Sequence, residues 1–188
     1  MPDLVPHVLP AGSLCRRPQP VLAAGDLRVR PWEPADAPAL VAAYADPGVQ
    51  HWNGQRLDPA EAEAYARVWH DHWQAERRAG WAVVRGDVLA GRITLRGIDH
   101  EQGSAEVTCW VVPAARGTGV APAAVEAVTA WAFEVGFHRL ELQHSIRNPA
   151  SCRVAGKAGF ALEGTRVSSL LHDDGWHSMH LHGRVCDR

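Results

Sequence analysis

A glycine-containing loop between two regular elements constrains the fold of this chain most strongly. Residues 113–121 read P-A-A-R-G-T-G-V-A; they follow a strand-like segment and precede a segment with helical apolar periodicity. Two glycines one residue apart let the backbone approach a ligand closely, and successive N–H groups entering a helix N-terminus form an anion site. The loop therefore predicts a strand–loop–helix unit with a site suited to a pyrophosphate.

This loop differs from two other nucleotide-binding motifs. It lacks the third glycine of the Rossmann fingerprint, and no Lys-Ser or Lys-Thr pair follows it as in a Walker A loop. Neither a dinucleotide-binding Rossmann unit nor a P-loop is therefore expected.

The order of the predicted elements indicates the fold class. It favours a single α/β (α+β) domain with a mixed, mostly antiparallel sheet of about seven strands flanked by helices, rather than a uniform βαβ alternation. In chain order, the sequence predicts a strand at Leu27 and Val29, a helix at 35–45 that Asp46-Pro47 stops, and a helix at 59–80 that Asp58 caps and Gly80 ends. Strands are predicted next at 81–85, 88–96 and 105–112, followed by a helix ending at Gly136 and a strand at 140–145. The last elements are a helix at 149–159, capped by Asn148, and strands at 161–171 and 176–185.

The first 24 residues differ from the rest of the chain. They contain five prolines and show neither helical nor strand periodicity, so residues 1–24 are predicted to be an irregular arm that packs on the body or is partly mobile. The domain itself is expected to span residues 25–188.

Composition excludes several classes of protein. The chain has 188 residues with 21 acidic and 19 basic side chains, a net charge of −2, so it lacks the basic surface of a dedicated nucleic-acid binder. Neither a run of about 18 apolar residues nor a signal-peptide pattern is visible, and a cytoplasmic location without membrane attachment is expected. The four cysteines form no CxxC pair and are expected to be free thiols.

Two motifs carry a family resemblance. The run W-V-V-P-A-A-R-G-T-G-V-A, and after the next helix R-L-E-L and N-P-A-S-C-R-V-A-G-K-A-G-F-A-L-E-G, resemble the GNAT superfamily of acetyl-CoA-dependent N-acetyltransferases, with a pattern like its RimJ/RimL-type branch. The resemblance extends over residues 27–185. It implies the GNAT fold and acetyl-CoA as co-substrate, and frequent dimers in the branch make a homodimer an expectation.

The resemblance also implies the reaction. Acetyl transfer to a primary amine by direct attack in a ternary complex is expected, and the branch favours the α-amino group of a protein or peptide as acceptor. A small-molecule amine as acceptor and a non-catalytic acyl-CoA-binding module remain open as alternatives.

The same resemblance implies the coenzyme-binding residues. The N–H of Val111 would polarise the thioester carbonyl, and Asn148 and Ser151 would lie near the pantetheine and the sulfur. Ala114 stands where many members carry Gln or Arg, so weaker side-chain contact is expected there. The pyrophosphate would be held by backbone N–H groups of Arg116, Gly117, Thr118, Gly119, Val120 and Ala121.

Catalysis requires a base, because an ammonium ion is not nucleophilic. Glu106 is the first candidate, and His144 and His177 are alternatives that are also expected to bind the acceptor, together with Trp52. Many members carry a Tyr at the position of Ala155 as the acid for the departing thiolate; without it, the acid would be Ser151, the nearest hydroxyl, or water.

No metal is expected. The last segment contains His172, His177, His180 and His182, with Cys186 close behind. Only His180 and His182 share a strand face by the two-residue period, and two ligands do not make a zinc site.

Overall fold

The computed structural model describes residues 4–187, which form one eight-stranded sheet flanked by five α-helices. The strands are β1 (Leu22–Ala24), β2 (Leu27–Pro31), β3 (Ala79–Arg85), β4 (Val88–Asp99), β5 (Ser104–Val111), β6 (Arg139–Ser145), β7 (Ala161–His172) and β8 (Gly175–Val185). The helices are α1 (Ala37–Tyr44), α2 (Pro47–Asn53), α3 (Pro59–Gln74), α4 (Val120–Val135) and α5 (Pro149–Lys157).

The sheet has the order β1-β2-β3-β4-β5-β6-β8-β7, and β5 and β6 are its one parallel pair within residues 4–187. That pair is short. Its last partners are Glu106 and Glu141, whereas β5 continues to Val111 and β6 to Ser145. The two strands therefore separate and leave a gap in the middle of the sheet.

The helices cover opposite faces of the sheet. One core cluster packs α1, α2 and α3 over residues such as Trp110, while the other packs α4 and α5 over residues such as Val107. Because successive strand residues point to opposite faces, Glu106 lies on the same side as Trp110. We refer to these two sides as the α1–α3 face and the α4–α5 face.

The α/β class and the mixed, mostly antiparallel sheet are confirmed, with eight strands instead of about seven. The sequence analysis missed β1, which lies within the segment predicted to be irregular. It also missed α2, because Asp46-Pro47 was interpreted as a helix stop. In the structure Asp46 caps a new helix, its side chain accepting a hydrogen bond from Val49 N at 2.9 Å.

Helix α3 ends at Gln74, six residues before the predicted end at Gly80. Gly80 is not a helix cap but part of β3, where it lies against the ring of Trp69; a Cβ at this position would come within 2.4 Å of that ring. The glycine permits close packing of α3 on the sheet.

The N-terminal segment, of which residues 1–3 lie outside the described part, packs on the body through Leu9 and Leu14, both almost fully buried. The carboxylate of Glu76 accepts hydrogen bonds from the backbone N–H groups of Gly12, Leu14 and Cys15 at 2.6 to 2.9 Å. These bonds outweigh the effect of desolvation and lower the pKa of Glu76. No helix within residues 4–187 has the length and apolar character needed to cross a membrane.

Candidate functional site

The gap between β5 and β6 exposes backbone groups of β5. Val112 N donates to Ala90 O of the neighbouring strand segment at 3.0 Å. Since hydrogen-bonded and non-bonded pairs alternate in an antiparallel ladder, the N–H of Val111 points away from β4. Strand β6 no longer pairs with β5 at this level, so the Val111 N–H faces the gap.

The loop after β5 ends in a row of free N–H groups. Gly117 and Gly119 have φ angles of 78° and 85°, a left-handed conformation that favours glycine. The Thr118 hydroxyl donates to Ala115 O at 2.8 Å and braces the turn. No described residue accepts a hydrogen bond from the backbone N–H groups of residues 117–121. These groups lie at the positive end of the 16-residue helix α4 and form an anion site.

The backbone N–H of Arg116, which the sequence analysis includes in the pyrophosphate site, is not free in the structure. Its backbone N–H donates to Pro113 O at 3.2 Å, so the free N–H groups begin at Gly117. Its side chain contacts Val111 O at 3.2 Å and forms an ion pair with Asp46, the cap of α2. The hydrogen bond from Arg116 lowers the pKa of Asp46. The side chain thus joins the loop to α2.

The N-terminus of α5 borders the other side of the gap, shortly after β6 ends. Asn148 caps this helix, with its Oδ1 accepting from Ser151 N at 3.1 Å. The hydroxyl of Ser151 makes no hydrogen bond within residues 4–187. Ala155, which stands at the position of the family's tyrosine, is fully buried.

Glu106 lies where the gap begins, since it belongs to the last pair that joins β5 to β6. Its Oε1 accepts a hydrogen bond from Arg96 Nη2 at 2.6 Å, and 18% of its side chain is exposed. The carboxylate points to the α1–α3 face. This is a position from which it can contact a ligand entering the gap from that face.

His177 is held in a chain of polar side chains on the same face. Its Nδ1 lies 2.7 Å from Ser145 Oγ and its Nε2 lies 2.6 Å from Asp174 Oδ1. Arg147 Nη1 also lies 3.1 Å from Nε2, but the contact with the carboxylate is the shorter one and favours a proton on Nε2, because a carboxylate only accepts. Desolvation raises the pKa of Asp174, but the hydrogen bond and charge of His177 and the charge of Arg147 lower it below its ordinary value. Both ring nitrogens of His177 are thus engaged by protein groups, and its ring is buried.

Helix α2 brings Trp52 to this region. The Trp52 ring packs edge-on to His51 with centroids 4.4 Å apart and lies 6.4 Å from the His177 ring. His51 Nδ1 in turn lies 2.7 Å from Asp173 Oδ1 in the β7–β8 turn. Trp52 is 37% exposed, so its indole is available to a ligand on the α1–α3 face. The structure therefore places two of the three predicted acceptor residues near each other.

The third, His144, lies elsewhere. It precedes Ser145 on β6 and therefore points to the α4–α5 face, where its Nε2 lies 3.1 Å from His182 Nε2. His144 and His177 therefore lie on opposite faces of the sheet, and only His177 is on the same side as Trp52. Burial and the neighbouring histidines lower the pKa of His144.

Comparison with protein families identifies the fold. Residues 26–161 match the family model described as "Acetyltransferase (GNAT) domain", which covers well over half of the chain. The chain belongs to this family. The free N–H groups of the loop and the gap beside β5 are thus features of a GNAT domain.

Individual relatives are distant from this GNAT domain. It is 26% identical over 106 residues to the ribosomal-protein-serine acetyltransferase of Escherichia coli (strain K12), a match that covers 56% of this chain and 59% of that protein. Among solved structures, RimL, a ribosomal L7/L12 α-N-protein acetyltransferase in complex with coenzyme A, has a TM-score of 0.81 at 18% identity, covering 89% of this chain and 99% of that one. Mycobacterium smegmatis RimJ in complex with CoA-disulfide has a TM-score of 0.80 at 22% identity, covering 89% and 87%. These likenesses support the fold.

Sequence reasoning missed a buried cation in this GNAT domain. Arg92 of β4 donates to Tyr44 Oη at 2.6 Å, Tyr65 Oη at 3.2 Å and Asn53 Oδ1 at 3.3 Å. It thereby ties α1, α2 and α3 to the sheet beneath the α1–α3 face. Desolvation raises the pKa of Tyr44 to about 12. A lone arginine within the apolar strand V-L-A-G-R-I-T-L was the signal that could have found it.

Proposed function

We propose that this GNAT domain transfers the acetyl group of acetyl-CoA to a primary amine by direct attack in a ternary complex. One observation carries the proposal: the gap between β5 and β6 runs from a carboxylate, Glu106, along exposed backbone groups of β5 to the anion site at residues 117–121. An elongated ligand with a pyrophosphate at one end and a reactive thioester at the other fits this order of groups.

The coenzyme would occupy the gap as a neighbouring strand would. Its pyrophosphate would accept hydrogen bonds from the N–H groups of residues 117–121, at the positive end of α4. Its pantetheine arm would pair with the free edge of β5 at Val111. N–H groups of β5 directed into the gap would polarise the thioester carbonyl and stabilise the oxyanion that forms on it. Asn148 and Ser151 would border the pantetheine from the α5 side.

Glu106 would supply the base. The acceptor arrives as an ammonium ion, which the carboxylate attracts and from which it removes a proton directly or through a water molecule. The free amine then attacks the carbonyl carbon, and the tetrahedral intermediate collapses with cleavage of the carbon–sulfur bond. The coenzyme A thiolate leaves and takes a proton from the Ser151 hydroxyl or from water, and that donor recovers a proton from the nitrogen, which loses its second proton as the amide forms.

The α-amino group of a protein or peptide is the proposed acceptor. Its support is twofold. Two of the relatives named above, the Escherichia coli protein and RimL, are ribosomal-protein acetyltransferases, and the α1–α3 face presents exposed acidic groups at Asp173 and Asp174 next to the exposed indole of Trp52. Carboxylates at this face would attract a terminal ammonium group, while the indole would contact the first side chain of the peptide.

Coenzyme binding and turnover test the proposal separately. Coenzyme A at concentrations far above a micromolar Kd is expected to raise the Tm of the protein. Acetylation is then measured on a panel of peptides with free and with blocked N-termini and on small amines. Failure of coenzyme A to shift the Tm would refute the proposal. Turnover of small amines alone would show that the acceptor is a small amine and not the α-amino group of a peptide.

The role of Glu106 has its own test. The substitution Glu106→Gln keeps the shape of the side chain but removes the base, so kcat is expected to fall by about a hundredfold or more with an unchanged coenzyme A Kd. Glu126→Gln is the matched control, because Glu126 of α4 is also paired with an arginine, Arg184 at 3.0 Å, away from the gap. Equal activity of the two variants would remove Glu106 from the mechanism.

A further inference from the structure

Four potential metal ligands meet on the α4–α5 face, on the side of the sheet opposite the proposed acceptor site. They are His144 of β6, Cys152 of α5, and His180 and His182 of β8; one ligand atom of each lies within 4.8 Å of those of the other three. The strand register explains why they meet: His144 lies opposite His180, and His182 is the next residue of β8 on that face. The first turn of α5 then brings the thiol of Cys152 over the three rings.

The cluster is buried and short of hydrogen bonds. His144 and His182 are 5% and 3% exposed. The Nδ1 atom of His180 is buried and has no hydrogen-bond partner in the part of the chain that the structure describes, and Nδ1 of His182 makes no hydrogen bond of ordinary geometry, although the backbone of Phe160 lies near its ring. Buried polar atoms are normally paired, so these nitrogens require an explanation.

The orientation of His144 points to the kind of partner that is missing. Its Nδ1 lies 2.8 Å from the carbonyl oxygen of Ser145, which can only accept, so Nδ1 carries the proton. The lone pair is therefore on Nε2, which faces His182 Nε2 at 3.1 Å. A carbonyl that fixes the tautomer in this way, leaving the other nitrogen free to coordinate, is the usual second partner of a histidine bound to a metal.

We propose that His144, Cys152, His180 and His182 bind a single zinc-class divalent metal ion in a closed tetrahedral site. Three imidazoles and a thiolate are ligands that Zn²⁺ accepts, and this set disfavours Mg²⁺ and Ca²⁺, which prefer oxygen. Metal–ligand bonds of about 2.0 to 2.3 Å place tetrahedral ligand atoms roughly 3.3 to 3.8 Å apart. The Nε2 atoms of His144 and His182 are 3.1 Å apart, and all four ligand atoms lie within 4.8 Å of one another, so binding would draw the other side chains inward.

A structural role follows from the number of ligands. With four protein ligands, no position is left for a substrate or an activated water, so the ion would not act on the thioester. It would instead link α5 to β6 and β8. Because Cys152 directly follows Ser151, the ion would fix the turn of α5 that borders the gap. The sequence-based expectation of no metal counted only the two β8 histidines and could not include His144 and Cys152.

Metal binding is measured without reference to activity. The full chain is stripped with a chelator, loaded with Zn²⁺, separated from free metal and analysed for zinc by mass spectrometry; one ion per chain is expected. Loading with Co²⁺ instead is expected to give the thiolate-to-cobalt charge-transfer absorption and the visible bands of a tetrahedral site. A chain that retains no stoichiometric zinc, or a cobalt complex without the thiolate band, overturns the proposal.

Two variants and two matched controls assign the ligands. Cys152→Ser is expected to abolish the thiolate band, and His180→Ala, at a half-buried position, is expected to abolish stoichiometric zinc retention. Cys186→Ser and His70→Ala are the controls and should retain the band and the zinc, since they replace a cysteine and an exposed histidine outside the cluster. Circular dichroism establishes that each variant is folded. Metal binding by folded Cys152→Ser and His180→Ala equal to that of the controls contradicts the assignment.

Discussion

The two faces of the β6–β8 pair carry histidines in opposite situations. On the α1–α3 face, both nitrogens of His177 are engaged, one with Ser145 and one with Asp174. On the α4–α5 face, Nδ1 of His180 is buried without a partner among the described residues, and Nδ1 of His182 makes no hydrogen bond of ordinary geometry. His177 and His182 are of the same residue type and are both buried, so these two differ in their hydrogen bonds. The first arrangement is complete as a protein structure, whereas the second leaves room for the proposed metal ion.

The largest effect should come from removing the fully bonded histidine. His177→Ala leaves a cavity and two buried or half-buried polar groups without partners, so we expect a loss of about 3 kcal/mol in the free energy of unfolding. The loss should be the same with Zn²⁺ and with a chelator present. Urea unfolding under both conditions measures it, and a loss that vanishes in the chelator would assign His177 to the metal cluster instead.

Substitutions at the neighbouring residues Ser145 and His144 test whether the two faces act independently. Ser145→Ala should lower the free energy of unfolding by about 1 to 2 kcal/mol, because it leaves His177 Nδ1 unpaired, and should leave zinc stoichiometry unchanged. His144→Ala should abolish stoichiometric zinc binding. Unfolding and zinc analysis on both variants provide the measurement; zinc loss in Ser145→Ala would show that the faces are not independent.

A smaller effect is expected at the acceptor contact. Trp52→Ala should raise the KM for a peptide acceptor about tenfold, roughly 1.4 kcal/mol, because the exposed indole would no longer contact the peptide. The Kd for coenzyme A should not change, since the ring lies on the side of α2 and the β7–β8 turn. Steady-state kinetics give the KM for the peptide and calorimetry gives the Kd for coenzyme A. A general loss of folding would weaken the binding of both the peptide and coenzyme A.

The smallest effect is a pH dependence. The pKa of Asp174 is lower in the folded protein than its ordinary value of about 3.8, so the carboxylate favours folding above that pH, and this contribution is lost as the pH falls below it. Between about pH 5 and pH 3, the Tm of the wild-type protein should fall more steeply with decreasing pH than the Tm of Asp174→Asn, whose amide side chain cannot titrate. Parallel Tm curves would mean that the His177–Asp174 contact does not contribute.

Local signals determined what could be predicted from the sequence. The caps at Asp58 and Asn148 and the glycines at 117 and 119 act on neighbouring residues, and the helices and the anion loop that they indicate are present. The same local reasoning missed α2, because Asp46-Pro47 ends one helix and begins the next. Gly80 was misread because its neighbour Trp69 is distant in sequence.

The histidine clusters lay beyond such reasoning for a different reason. Whether His144 lies opposite His180 depends on the register between β6 and β8, which a two-residue period within one strand does not specify. Cys152 joins the cluster only because α5 packs back over these strands. Likewise, the contact of His177 with Ser145 and Asp174 joins the end of β6 to the β7–β8 turn, which is distant in sequence but adjacent in the fold.

The ion pair between Arg116 and Asp46 bridges the two sides of the proposed reaction. Arg116 belongs to the coenzyme loop, whereas Asp46 caps the helix that carries Trp52. Under the proposed function this half-exposed contact would couple the position of the amine to that of the coenzyme, and dissolved salt weakens a contact of this kind. Because the buried Arg92 also holds α2 through Asn53, the ion pair would adjust the alignment of coenzyme and amine on a frame that the sheet already fixes.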